Sequence, residues 1–163
     1  MEQVNKKKLL PWFLFTGLFT GTLDALLAIV INNKVSAPVI FKFIASGVFG
    51  SAAFAPGNEM VYYGLLFHYF IAFTWTILFF VFYNKLINIV RLRFILMLIT
   101  GTIIWVGMNL LVLPLSQVHS QPFKALGFIK NLVALILAFG LPITVIAGKY
   151  YESDDSYRVL RAS

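Results

Sequence analysis

Two stretches decide the fold of this chain: Met60–Tyr83, MVYYGLLFHYFIAFTWTILFFVFY, and Phe94–Leu113, FILMLITGTIIWVGMNLLVL. A ten-residue basic linker, Asn84–Arg93, joins them and carries Lys85, Arg91 and Arg93. Roughly 20 helical residues cross a hydrocarbon layer of about 30 Å, so each run is long enough to span one. Each also holds one polar side chain that lipid would not tolerate alone, His68 in the first and Asn109 in the second. Pro114 is expected to stop the second run.

Composition agrees. Of 163 residues, 60% are hydrophobic and 12% charged, against about 45–50% and 25% in ordinary soluble domains. A soluble core of this size cannot hide that excess, so lipid is the expected solvent. With no cysteine, disulfides, thiolate metal sites and cysteine nucleophiles are excluded. The net charge of +7 does not indicate nucleic acid, because the basic residues flank apolar runs instead of forming a stripe.

Outward from the central pair, Leu9–Ile31 reads as an uncleaved first span. Its apolar stretch is too long for a signal peptide, and the small-residue site Val35-Ser36-Ala37 is followed by Pro38. Ser36 and Pro38 suit a helix start. The segment 39–54 that follows is short for a span, carries Lys42, and fits an interfacial or re-entrant helix. Asn58 and Glu59 then open the second span, about 58–83, with Tyr62, Tyr63 and Tyr83 at its two ends. The third span is about 94–113. Residues 115–130 read as a polar loop, and the fourth span as about 131–147 with a kink at Pro142. Residues 1–150 make one transmembrane helical domain, and 151–163 a polar cytoplasmic tail.

The basic residues orient the chain. With four spans and 39–54 not crossing, nine of the 13 share one side (Lys6, Lys7, Lys8, Lys85, Arg91, Arg93, Lys149, Arg158, Arg161). Four are left opposite: Lys34, Lys42, Lys124 and Lys130. If 39–54 crossed, the basic majority would be external. The positive-inside rule therefore favours four spans with both termini cytoplasmic.

Helices in lipid associate through small residues and a few polar contacts. Gly17, Gly21, Asp24 and Ala28 share one face of the first span, and Ser46 and Gly50 line one side of the short helix. In the second span Gly64, His68 and Ala72 fall four apart, so gaps flank the imidazole. Gly17, Gly21, Ser46, Gly50 and Gly64 are thus expected packing positions, and the first four also offer seams for a homo-oligomer. Asp24, His68 and Asn109 are the candidate ligand or proton-pathway residues, expected to meet in the bundle near its outer half. Ser116 and His119 do not make a nucleophile and base, since no acid lies nearby to orient the histidine. No spacing suits zinc and no glycine-rich loop suits phosphate; no catalytic residue, metal or cofactor is expected.

The order Gly64-x3-His68, a span ending at Tyr83, a short basic linker, Gly101, then Met108-Asn109-Leu110-Leu111-Val112-Leu113-Pro114-Leu115-Ser116 resembles the YagU-like group of small bacterial inner-membrane proteins, over about residues 58–147. That resemblance implies a bacterial inner membrane and a four-helix bundle, and implies no reaction. The expected architecture is an all-α integral membrane four-helix bundle with an extra short helix between spans one and two. Three function classes are open. The first is a binding or permeation module for a small molecule, ion or lipid. The second is an accessory subunit or scaffold of a larger membrane partner. The third is an enzyme acting on a lipid or quinone through His68.

Overall fold

The computed structural model describes residues 9–118 and 125–152. The basic start, the tail beyond 152 and His119 lie outside the described residues. Among those described, every element is helical, and five helices are long and apolar enough to cross a membrane. They are α1 (Leu9–Ile31), α2 (Ala37–Phe49, followed by a 3-10 turn at Gly50–Phe54), α3 (Glu59–Val90), α4 (Arg93–Leu115) and α5 (Ala125–Tyr151).

Ring and glycine contacts fix the directions. Thr22 meets Tyr69 while Phe13 meets Phe73, so α1 and α3 are antiparallel. Gly107 packs on Trp75, and Thr100 shares a groove with Phe82 and Leu86, which sets α4 antiparallel to α3. Trp105 meets Phe128 while Arg93 approaches Gly148, so α5 runs against α4. The result is an up-down bundle. One end, called the upper end here, gathers the C-termini of α1 and α4 and the N-termini of α3 and α5.

α2 does not join that alternation. Its 13 residues span about 20 Å. Gly50 then takes φ +56°, a left-handed value that breaks the helix axis. Were the following turn coaxial, Lys42 and Ala55 would stand about 22 Å apart. Instead Lys42 Nζ donates to the Ala55 carbonyl at 2.7 Å, so the turn folds back beside α2. The far end of α2 is tied to the exit of α4: Gln117 donates its backbone N–H to Gly47 O (2.9 Å) and Nε2–H to Val48 O (2.6 Å). Phe41 and Phe49, two turns apart, both meet α3 between Tyr63 and His68. α2 is thus a cap on the upper third of the bundle.

Several boundaries differ from expectation. The basic linker is mostly helix: α3 continues to Val90, about 48 Å in all, and only Arg91 (φ +58°) and Leu92 turn the chain. Hydropathy marked where the apolar run stops, which is not where backbone hydrogen bonding stops. Pro114 lies inside the last turn of α4 instead of stopping it, two residues after a π turn at Met108–Val112. Pro142 likewise follows a π turn at Ile136–Gly140. A proline ring crowds the carbonyl four residues back, and a wide turn gives it room. Residues 125–130 are helix, so the expected fourth span sits inside a longer element that starts six residues earlier. Ser36 and Asn58 occupy the N-cap positions of α2 and α3, but neither side chain makes a capping bond.

The small-residue seams are used within the chain. Gly17 lies against Phe73, and Gly21 against Ala72 and Tyr69. A Cβ on Gly64 would overlap the Phe41 carbonyl, which is why α2 can sit so close to α3. Ser46 is buried, and Gly50 abuts Gln117. Both seams expected to serve an oligomer are in contact with the chain's own elements. Two apolar clusters fill the remaining interior. One lies at the lower end (Phe79, Phe80, Tyr83, Leu96, Ile143, Tyr150). The other is central (Ala72, Ile104, Leu135, Ala138, Phe139).

Candidate functional site

Most buried threonine hydroxyls in this bundle bond to their own helix, Thr144 being the exception without a partner among the described residues. Thr16, Thr20, Thr76 and Thr100 each donate to the carbonyl four residues back on their own helix, at 2.6–2.8 Å. The larger polar groups of the upper half keep atoms free beyond such bonds, and they come from four helices at similar depth. Asp24 is seven residues from the upper end of α1, His68 nine from that of α3, and Asn109 and Asn131 six from those of α4 and α5. At 1.5 Å per residue these positions lie about 9 to 14 Å below the helix ends.

Two adjoining cavities collect them. The outer, about 340 Å³, is half-open and lined by Asp24, Asn32, Asn109 and Asn131 among Ala28, Ile31, Gly127, Phe128 and Ala134. The inner, about 160 Å³, is lined by Asp24, His68 and Asn131 among apolar groups that include Trp75, Ile104 and Phe139. Asp24, Ala28 and Asn131 line both. Asn32 and Asn131 are exposed, Asp24 and Asn109 half-buried, and His68, the deepest of the five, is buried. Below His68 the interior turns apolar: the central cluster follows, and a groove of about 260 Å³ that shares Trp75 and Ile104 with the inner cavity is lined almost wholly by carbon.

The hydrogen bonds define what each group offers. His68 Nε2 lies 2.7 Å from the Gly21 carbonyl. A carbonyl only accepts, so Nε2 carries the hydrogen. Phe41 and Tyr69 hold the imidazole edge-to-face. The bond is possible because Gly21 lets α3 come close enough for a side chain to reach the α1 backbone. Asn109 Nδ2 donates to Trp105 O and Asn32 Nδ2 to Ala28 O, both at 2.8 Å. The same logic fixes both amides with Oδ1 free. Asp24 makes no hydrogen bond or ion pair among the described residues, although His68 is near enough to act on it electrostatically. Trp105 Nε1, buried without a partner, lines neither cavity.

Asp24 thus borders both cavities, His68 only the inner and Asn109 only the outer. Asn131 was missed as a site residue because it reads as the first residue of a span. Its polarity in an otherwise apolar stretch was the available signal. Ser116 is spent on a local turn, donating to Leu113 O and accepting from Val118 N. Among the described residues no group of three or more His, Cys, Asp or Glu could hold a metal. No family model, curated protein or solved structure matches the chain, so any functional reading rests on this geometry.

Proposed function

We propose that this chain is an integral membrane protein of four spans, α1, α3, α4 and α5, and that it binds a small polar molecule in the adjoining cavities of its upper half. Lipid exposure is supported by apolar side chains such as Phe70, Val81 and Leu110, which point outward at 68–71% exposure. Non-crossing of α2 is supported by its fold-back at Gly50 and by the tie of its far end to the exit of α4. With α2 outside the count, the positive-inside rule puts the upper end outside and both termini in the cytoplasm. A bacterial inner membrane follows from the YagU-like resemblance.

The observation that carries the binding reading is Asp24: a carboxylate at membrane depth, without a hydrogen bond among the described residues, lining two cavities. Ionisable groups inside spans are costly and mark sites or pathways. The apolar lining below His68, with Thr100 as the one polar side chain among the described lining of the next groove, supports a polar site that ends there, which favours binding over permeation. The contacts that the small-residue seams make within the chain weigh against a scaffold role for those same faces.

The test is native mass spectrometry of protein released from lipid nanodiscs, after exposure to a panel of small polar molecules. Ala28 lines both cavities, so Ala28→Phe fills the space without touching charge. A retained small molecule, lost in Ala28→Phe, is the expected result. Protein carrying only bulk lipid across the panel, or equal retention by the filled variant, would refute the reading.

A further inference from the structure

The balance of donors and acceptors in the outer cavity narrows what it takes. Asp24 presents two carboxylate oxygens with no partner among the described residues. Asn32 and Asn109 have each spent one of two Nδ2 N–H groups on their own helix, leaving the other N–H and Oδ1 free. Asn131 is the one lining side chain, among those described, whose amide makes no hydrogen bond. No lysine, arginine or histidine is among the described residues lining this cavity. The nearby His68 has its Nε2–H committed to Gly21 O. The amides offer donors and acceptors alike; the excess of acceptors comes from the Asp24 carboxylate, beside which the described lining of this cavity holds no lysine, arginine or histidine. A carboxylate at such depth calls for a partner. Among the described residues none makes a hydrogen bond or ion pair with it, and the space next to the carboxylate is open at the mouth.

We infer that the outer cavity takes a small organic ammonium ion, its N–H groups donating to Asp24 and the free Asn oxygens. This rests on the binding reading above and adds the ligand's charge and chemistry. A bare metal ion fits poorly: the cavity is about 340 Å³, far larger than an ion, and much of its wall is carbon. Ala28, Ile31 and Ala134 suit a short hydrocarbon body, and the Phe128 ring suits the flank of a cation. An anionic ligand is disfavoured by the same carboxylate, and a neutral one would leave it unpaired.

The test uses matched probes on the full chain in nanodiscs: n-butylamine, 1-butanol and sodium chloride, with binding read by calorimetry. The amine is expected to bind at least about tenfold tighter than the alcohol, because charge-assisted hydrogen bonds are roughly twice as strong as neutral ones. Asp24→Asn is expected to erase that preference. Asn109→Leu, which keeps the carboxylate, is expected to weaken the amine about threefold to tenfold and the alcohol by less, since a single O–H cannot serve Asp24 and Asn109 together. That second variant decides the matter if Asp24→Asn does not fold. Alcohol binding as tight as amine overturns the ammonium assignment and leaves the binding reading standing. Sodium displacing the amine stoichiometrically overturns it in favour of a bare ion. No binding by either organic probe, with wild type and Ala28→Phe indistinguishable, overturns both.

Discussion

Gly64→Ala is the sharpest perturbation of the cap that α2 makes on the bundle. A Cβ at residue 64 would fall within contact range of three atoms of Phe41, its carbonyl oxygen, carbonyl carbon and Cα. All are backbone, so no side-chain rotation relieves the overlap. α2 must withdraw by on the order of 1 Å to restore normal van der Waals separation. Overpacking of this kind costs about 1–3 kcal/mol. For a chain of this length that is a fall of about 2–12 °C in melting temperature. Gly17→Ala is the control. Its Cβ would meet the Phe73 ring, a half-buried side chain that can turn aside, so a smaller loss is expected. The assay is thermal unfolding of both variants in nanodiscs, paired with labelling of a single cysteine at Ile44, which lines the inner cavity from α2. Gly64→Ala should melt lower than Gly17→Ala and speed labelling at position 44. Equal melting of Gly64→Ala and wild type, or a larger loss in Gly17→Ala, would refute the close α2–α3 contact.

Other variants test neighbouring parts of the site. His68→Ala leaves the Gly21 carbonyl without its cross-helix donor and opens the Phe41–Tyr69 packing; a loss of about 1–3 kcal/mol is expected, read as a lowered melting temperature. Gln117→Ala removes the Nε2 bond to Val48 O, and hydrogen exchange across residues 47–50 should quicken while the core of α3 keeps its protection. Gly101→Ala drives a Cβ into the Ile136 backbone and should cost more than Gly17→Ala by the same melting assay.

How much of this was legible in the sequence depends on what each residue signals locally. The apolar runs set out the helices, and the four-residue spacing of Gly64, His68 and Ala72 marked a face that two neighbours approach: α2 at Gly64, α1 at Ala72. Asp24 and His68 stood out because charge in a span is rare. Asn131 did not, because its helix begins at Ala125, where Gly127 and Lys130 dilute the apolar pattern. The reach of α3 to Val90 was hidden for the opposite reason: residues such as Lys85 and Asn88 end hydropathy without ending a helix. The partners of Gly17 and Gly21 were also beyond reach, since a small residue shows that something comes close and not what. Pro114 and Pro142 signal a stop and a kink in the sequence, whereas each is accommodated inside a helix by a π turn just before it.

The central claim is that Asn109 and Asn131 face an aqueous cavity open at the upper end of the bundle. The chain has no cysteine, so a single introduced thiol is the only one present. We would make Asn109→Cys, Asn131→Cys and, as control, Leu110→Cys, whose native side chain points outward at 71% exposure. Each would be treated with a membrane-impermeant cationic methanethiosulfonate added to the external face of right-side-out vesicles. A thiol in water ionises and reacts, whereas one facing lipid stays protonated and inert. The account predicts labelling at positions 109 and 131 and none at 110. Silence at 109 and 131 alongside 110, or labelling only from the cytoplasmic face, would contradict it.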